Sequence, residues 1–302
     1  AAIDPQEYGP DLIDCYTNLA SVLDPLGFPQ QALQTLDQSD ALATRLAQRY
    51  PDALDYPHQL AVNQLNRADI LVSLGRMDEA EQAARSAHDQ MAELVEREPR
   101  QLGLRLTLLR STGQLSEVLR GRGQAREALD VCRHEQLQLT RLRITFPDHR
   151  EATRTEGLLL REQAECHSAP GELNEAADLL RQSLQLQRQA FRSGVKPVQW
   201  SLAVFFQGQF RDATYDQPGP FDEYCRTQLH LGRVLRKLGR FHEAELELGE
   251  AMTMSQIQND GQPEQIRFLV TRANTCAEVY ELLKDRRPTE ANQALHLAGA
   301  LW

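Results

Sequence analysis

Four basic residues stand at helical spacing near the end of a chain that is otherwise acidic. Arg226, Arg233 and Lys237 are separated by seven and four residues, and Arg236 follows Arg233 by three, so the four lie along one face of a helix. Guanidinium groups bind carboxylates or phosphates through paired hydrogen bonds. The stripe is therefore a candidate site for an acidic partner, and pairing with acidic neighbours inside the protein is the alternative.

The sequence carries no linear catalytic motif. It has no G-x-G-x-x-G, no G-x-x-x-x-G-K-[ST], no H-E-x-x-H and no G-x-S-x-G, and the kinase catalytic motifs are missing as well. The eight histidines do not cluster at metal-ligand spacing. We therefore expect no enzyme, no metal and no cofactor, and an active site assembled from distant segments is the remaining alternative.

The amino-acid composition argues against some classes of binding partner. The 302 residues carry a formal net charge of −10, which argues against a nucleic-acid or anionic-membrane surface because phosphate binding depends on Lys and Arg. No apolar run is long enough to span a membrane and the first residues do not resemble a signal peptide.

The chain starts without Met and stops inside a helical pattern, so we expect it to be a piece of a longer protein.

The five cysteines are odd in number, widely spread, and never form a C-x-x-C pair. A disulfide framework or zinc cluster is not expected from this pattern. We expect buried free thiols and a reducing, cytoplasmic compartment.

The strongest signal is an internal repeat. A Gly followed five residues later by Ala occurs at Gly27, Gly75, Gly123, Gly171 and Gly239, with a weaker version at Arg286. The first four glycines are 48 residues apart, and a proline lies 24 residues after four of the glycines, at Pro51, Pro99, Pro147 and Pro263. Each unit thus divides into two segments of about 20 residues with helical spacing of apolar and small residues.

These two markers predict a helix, a turn, a second helix and a second turn in every unit. Gly suits the helix C-cap and Pro cannot continue a helix interior, while alanines such as Ala80 permit close approach of the paired helix. One hairpin cannot bury its apolar face alone, so neighbours must stack. We predict an all-α superhelix of about six hairpins that forms one domain over residues 1–302.

The turn Leu74-Gly75-Arg76-Met77-Asp78-Glu79-Ala80 resembles that of tetratricopeptide repeats (TPR). The small residue that such repeats carry seven positions before the Gly is present in five units and replaced by Val279 in the last. The length of the unit differs from that of such repeats, since it is 48 residues here and usually about 34. Long repeats of this kind are similar to those in the non-catalytic tails of bacterial serine/threonine protein kinases. HEAT-type repeats are the structural alternative.

The resemblance implies a non-catalytic scaffold that binds a protein or peptide, with the first helix of each hairpin lining a groove. The groove positions it implies are Asn18, Asn66, Asp69, Arg226, Leu229, His230, Arg233, Arg236 and Lys237.

One segment interrupts the repeat. Gly171 and Gly239 are 68 residues apart, so about 20 residues have been inserted, near 198–220, and they include Trp200, Phe205 and Phe206. These aromatic residues predict either an extra helix that packs on the solenoid or an exposed patch that docks a partner. The alternative function that follows is a homo-oligomeric structural module that self-associates through this insert.

Overall fold

The computed structural model describes residues 5–145, 149–167, 170–190, 202, 221–261 and 266–299. In these ranges it contains twelve α-helices and no strand, so the predicted all-α class is confirmed. The helices are α1 Pro5–Leu23, α2 Pro29–Arg49, α3 Asp55–Ser73, α4 Met77–Arg97, α5 Leu102–Gly121, α6 Ala125–Thr145, α7 Arg150–Cys166, α8 Leu173–Ala190, α9 Phe221–Lys237, α10 Phe241–Gly261, α11 Ile266–Leu283 and α12 Pro288–Gly299.

Consecutive helices pair as antiparallel hairpins, and most are extended as the 48-residue period predicts. The second helices α2, α4, α6 and α10 each have 21 residues, and the first helices have 17 to 20. The chain divides into two compact units, Ala1–Arg141 and Leu142–Trp302, with the boundary near the end of α6. A single domain over 1–302 stays a prediction.

The turn glycines close the first helices by a left-handed cap. Gly27, Gly75, Gly123 and Gly239 have φ between +72° and +86°. At Gly75 the amide donates to the carbonyl of Val72 at 3.0 Å, and the next amide, of Arg76, donates to Leu71 at 2.9 Å. This is the pattern in which two otherwise unpaired carbonyls at a helix end are satisfied.

Gly171 does not follow this pattern, which corrects the prediction that every repeat glycine caps a helix. It has no positive φ and lies inside a 3₁₀ helix, Pro170–Glu172. Helix α7 has already ended at Cys166, and His167 caps it through a 3.1 Å hydrogen bond to Ala164. The glycine therefore falls at the entry to α8 and not at the exit of α7.

The repeat alanines mark where paired helices cross closely. All six are at most 1% exposed: Ala32, Ala80, Ala128, Ala176, Ala244 and Ala291. At the same crossing in the fifth hairpin, α9 contributes Gly232, where a Cβ would stand 2.5 Å from Cγ of Leu248 on α10. Small residues at these positions are thus required by packing.

Several predictions fall outside the described residues. Trp200, Phe205 and Phe206 of the insert and the repeat prolines Pro147 and Pro263 belong to this group, whereas Pro51 and Pro99 lie in the turns after α2 and α4. All five cysteines are free thiols, and Cys15 is exposed where burial was expected. Within the described ranges, no helix has the length and apolarity needed to cross a membrane.

Candidate functional site

Helix α9 positions the basic stripe, defined here as Arg226, Arg233, Arg236 and Lys237. Acidic residues occupy its first turn and Arg236 and Lys237 its last, an arrangement that complements the helix dipole at both ends. Arg226, Arg233 and Arg236 contact α11, the first helix of the next hairpin. These three side chains therefore share one side of α9, and the role of the stripe as a binding site stays a prediction.

Two of the stripe's arginines share a single carboxylate. Arg233 Nε donates to Glu278 Oε2 at 3.0 Å, and Arg236 Nε donates to Glu278 Oε1 at 2.6 Å. The Glu278 side chain is 8% exposed, whereas that of Arg233 is 41% exposed. One buried negative charge on α11 thus fixes two guanidinium groups at the protein surface, and one positive charge is left over.

The other end of the stripe is held by a smaller polar cluster. Arg226 Nε lies 3.0 Å from Asp222 Oδ2 on the same helix, and Thr271 of α11 donates to the other Asp222 oxygen at 2.7 Å. Lys237 is exposed, and no carboxylate of the described chain lies within 4.0 Å of its ammonium group. Three arginines of α9 therefore contact the Asp222 and Glu278 carboxylates, and Lys237 adds a fourth positive charge at the surface. A hydrogen bond from Lys284 and, to a lesser degree, the charge of Arg236 lower the pKa of Glu281 on α11.

Two further predicted positions on α9 behave differently from the stripe. Leu229 is only 3% exposed and packs in the core, so the expectation that it lines a groove is wrong. His230 is half-buried, and its Nδ1 lies 2.5 Å from Glu165 Oε1 of α7 without hydrogen-bond alignment. His230 therefore links α9 to the preceding first helix.

The predicted positions in the N-terminal unit lie on α1 and α3. Asn18 is exposed and Asn66 half-buried. Asp69 accepts a hydrogen bond from Gln114 of α5. None of the three contacts a basic cluster like that on α9, and the two sets of predicted residues lie in different units.

Sequence reasoning missed a buried polar network between α1, α2 and α3. Asn63 accepts a 2.8 Å hydrogen bond from Thr17 and donates to Ser39 and Asp40, each at 2.8 Å, while Arg67 pairs with Asp40 at 2.8 Å. The network joins three helices and leaves the Asn63 amide satisfied, so it fixes their register. No linear spacing reveals it, since its members are scattered over about 50 residues.

The C-terminal unit also has a cavity of about 500 Å³ between α8 and α10. Its lining residues are Arg181, Leu184, Gln185, Arg188, Gln189 and Glu247. Burial, reinforced by the neighbouring Glu250 carboxylate, raises the pKa of Glu247 to about 7. Arg188 is tied to Tyr224 by a hydrogen bond of 2.5 Å and to Glu250 at 3.3 Å. These charges are largely neutralised internally, so the cavity is a weaker candidate than the stripe.

In the part of the chain that the structure describes, no group of three or more His, Cys, Asp or Glu side chains is placed to hold a metal ion. Burial raises the pKa of the Cys276 thiol to about 11 and that of the Cys225 thiol well above its ordinary value, which disfavours the reactive thiolate at these two positions.

Paired helices of about 20 residues, left-handed glycine caps and alanines at the crossings define an all-α helical-repeat fold. Residues 225–257, in the fifth hairpin, match the family model of the Tetratricopeptide repeat. No curated protein sequence is significantly similar to the chain.

Solved structures of similar fold include two crystal structures. The crystal structure of BtubC (BKLC) from P. vanneervenii is 17% identical with a TM-score of 0.57, and the match covers 87% of this chain and 86% of that one. A crystal structure of a putative kinesin light chain from Podosopora anserina, with nearly identical TPR-like repeats, is 18% identical with a TM-score of 0.51, and the match covers 85% of this chain and 99% of that one. At these identities the likeness concerns the fold alone.

Proposed function

We propose that the chain is a non-catalytic scaffold that binds a protein or peptide, and that the basic stripe on α9 receives acidic side chains of that partner. The observation that carries this proposal is the sharing of Glu278 by Arg233 and Arg236. Two guanidinium groups around one buried carboxylate leave donors and positive charge at the surface, which suits a second carboxylate supplied from outside. Arg226 and Lys237 extend the same charge along the helix.

A fluorescently labelled oligo-glutamate peptide is a suitable probe. We expect the 302-residue chain to bind it, with affinity that falls as salt is added, and Arg226→Gln with Lys237→Gln to weaken binding by about tenfold. Both side chains are exposed, and the buried Asp222 carboxylate, which loses Arg226 in this variant, keeps its hydrogen bond from Thr271, so the variant should fold. The matched control is Arg181→Gln, which removes a guanidinium group from the second-helix side of the same unit. Equal loss in the control would show that only net charge matters.

Glu278→Gln gives a sharper test because it removes the internal competitor of the partner. If external carboxylates bind Arg233 and Arg236, this variant should bind the probe more tightly than the native chain while being less stable to urea. Weaker or unchanged binding would refute the assignment of the site, because Arg233 and Arg236 would no longer be neutralised by Glu278 and should then bind an external carboxylate more strongly.

Self-association through residues 198–220 is a second candidate, favoured by the aromatic residues in that stretch of sequence. Light scattering on the double variant Phe205→Asp with Phe206→Asp tests this candidate, and a mass equal to that of the native chain would rule it out.

A link to kinase tails rests on the sequence resemblance. Its test is the sequence that flanks this chain in its gene. We also propose a cytoplasmic location, which follows from the cysteine pattern of the sequence. Fractionation of the native cell would test that location.

A further inference from the structure

Helix α1 exposes an apolar face that no described residue covers. Tyr8, Leu12, Leu19 and Val22 are between 45% and 53% exposed, and their spacing of four, seven and three residues aligns them along one side of the helix. The opposite side of α1 packs into its own hairpin through Ile13. We call the exposed side the α1 face.

The repeat shows what normally covers such a face. The positions 48 residues after Tyr8 and Val22 are Tyr56 and Ile70 on α3, which are 6% and 2% exposed. Ile70 packs in one cluster with Leu36 of α2, the second helix of the preceding hairpin. The α1 face is therefore the surface that receives the second helix of another hairpin.

The last described hairpin carries the complementary element. Leu36 stands nine residues after its turn glycine, and the equivalents Ala84, Cys132, Leu180 and Leu248 are, like Leu36, at most 1% exposed. In the last described hairpin the equivalent residue, nine after Arg286, is Leu295 of α12, which is 51% exposed. Thus α12 exposes an apolar side chain at a position that the other second helices bury, and α1 exposes the surface that buries such a position between α2 and α3.

We infer that a second copy of this chain covers the α1 face, with α12 of one copy packed on α1 of the next so that the repeat continues from molecule to molecule. In this register Leu295 takes the place of Leu36, and Val22 of the next copy takes the place of Ile70. The junction reproduces the part of the α2–α3 interface that centres on Leu36 and Ile70. Tyr56 packs instead with Ala43 and Leu46, whose equivalents lie beyond the described end of α12, so the junction covers mainly the Leu19 and Val22 end of the α1 face.

The charges at the junction agree with this register. Between α2 and α3, Arg67 forms ion pairs of 2.8 Å with Asp37 and Asp40. At the junction Leu19 stands where Arg67 does, and His296 and Gly299 stand where the two aspartates do. Both sides have lost the charged pair together, so packing would bury no unmatched carboxylate or guanidinium group.

An α1-to-α1 contact fits less well. Helix α1 contains Asp11 and Asp14, both exposed beside the apolar face, and no basic residue. Two copies of α1 would bring like charges together, which opposes association. A contact between α12 of one copy and α1 of the next has a distinct consequence. Each pair of chains still has one free α1 and one free α12, so assembly can proceed beyond two copies.

Light scattering of the full chain from micromolar to millimolar concentration tests the inference. The mass should rise with concentration, and Leu19→Asp and Leu295→Asp should each weaken association by at least about tenfold, since each places a charge in an apolar junction. The control is Leu137→Asp on α6, a residue that is 66% exposed and outside the junction; it should behave as the native chain. Circular dichroism should be unchanged in all three, because the substituted side chains are exposed.

Mixing the two junction variants is decisive. The Leu19→Asp chain keeps a competent α12 and the Leu295→Asp chain keeps a competent α1, so an equal mixture should form a one-to-one pair although neither variant associates alone. A native chain that is monomeric throughout overturns the inference. So does a Leu295→Asp chain that still associates, which would indicate an α1-to-α1 contact or the 198–220 segment instead.

Discussion

Replacing Gly75 with alanine isolates the conformational cost of the repeat turn. Gly75 has φ of +72°, and a Cβ there would meet no atom within 4 Å, so the substitution disturbs no packing. Left-handed backbone costs a residue with a Cβ about 1–2 kcal/mol, and alanine returns roughly 0.4–1 kcal/mol by restricting the unfolded chain. We therefore expect Gly75→Ala to lower the free energy of unfolding by about 1 kcal/mol.

Gly103 supplies the matched control in the same unit. It lies in the first turn of α5 without positive φ and also has no atom within 4 Å of a Cβ, so Gly103→Ala should stabilise by about 0.5 kcal/mol through helix propensity. Urea unfolding followed by circular dichroism measures both, with the two compact units fitted as separate transitions where they separate. Equal effects of the two substitutions would refute the argument that the turn conformation, and not glycine itself, sets the cost.

Three further outcomes follow from the described residues. Gly232→Ala should destabilise the protein by about 1–3 kcal/mol in urea unfolding, because its Cβ would overlap Leu248, and Leu248→Ala in the same chain should recover part of that loss. Native thiol titration with a maleimide should label Cys15 rapidly and the other four cysteines only on unfolding, since those four are buried. Burial raises the pKa of Glu247 from 4.5 to about 7, so the folded state binds this proton more tightly; stability should rise as the pH falls through that range, and Glu247→Gln should flatten that part of the pH profile.

The sequence predicted the hairpins because their signals are local. A glycine that must adopt positive φ and an alanine five residues later both act within one turn, and both recur in phase. The prediction was wrong at Gly171, where Pro170 shares a 3₁₀ turn and α7 ends at Cys166. The motif letters are the same there, but α7 ends five residues before Gly171, whereas α9 ends two residues before Gly239. The point at which a helix ends depends on packing that the motif does not contain.

The site was harder to predict because its energetics depend on partners in another hairpin. The spacing of Arg233 and Arg236 identified a shared face, but Glu278 lies 45 and 42 residues away from them. The burial of Leu229 beside the stripe was missed for a related reason. Family position placed it on a groove, whereas it packs in the core cluster of the C-terminal unit.

The separations of the polar contacts explain how such a site can be altered without loss of the fold. Thr17 and Asn63 are 46 residues apart, Asp69 and Gln114 are 45, and Arg233 and Glu278 are also 45. Each separation is close to one repeat, so every such contact joins a first helix to the first helix of the next hairpin. In an array held by nearest-neighbour contacts, a change at one contact is felt mainly by the two hairpins that it joins. The charge of the α9 stripe is therefore set by α9 and α11 together, and a substitution at Glu278 should change binding there while leaving the Thr17–Asn63 network of the N-terminal unit intact.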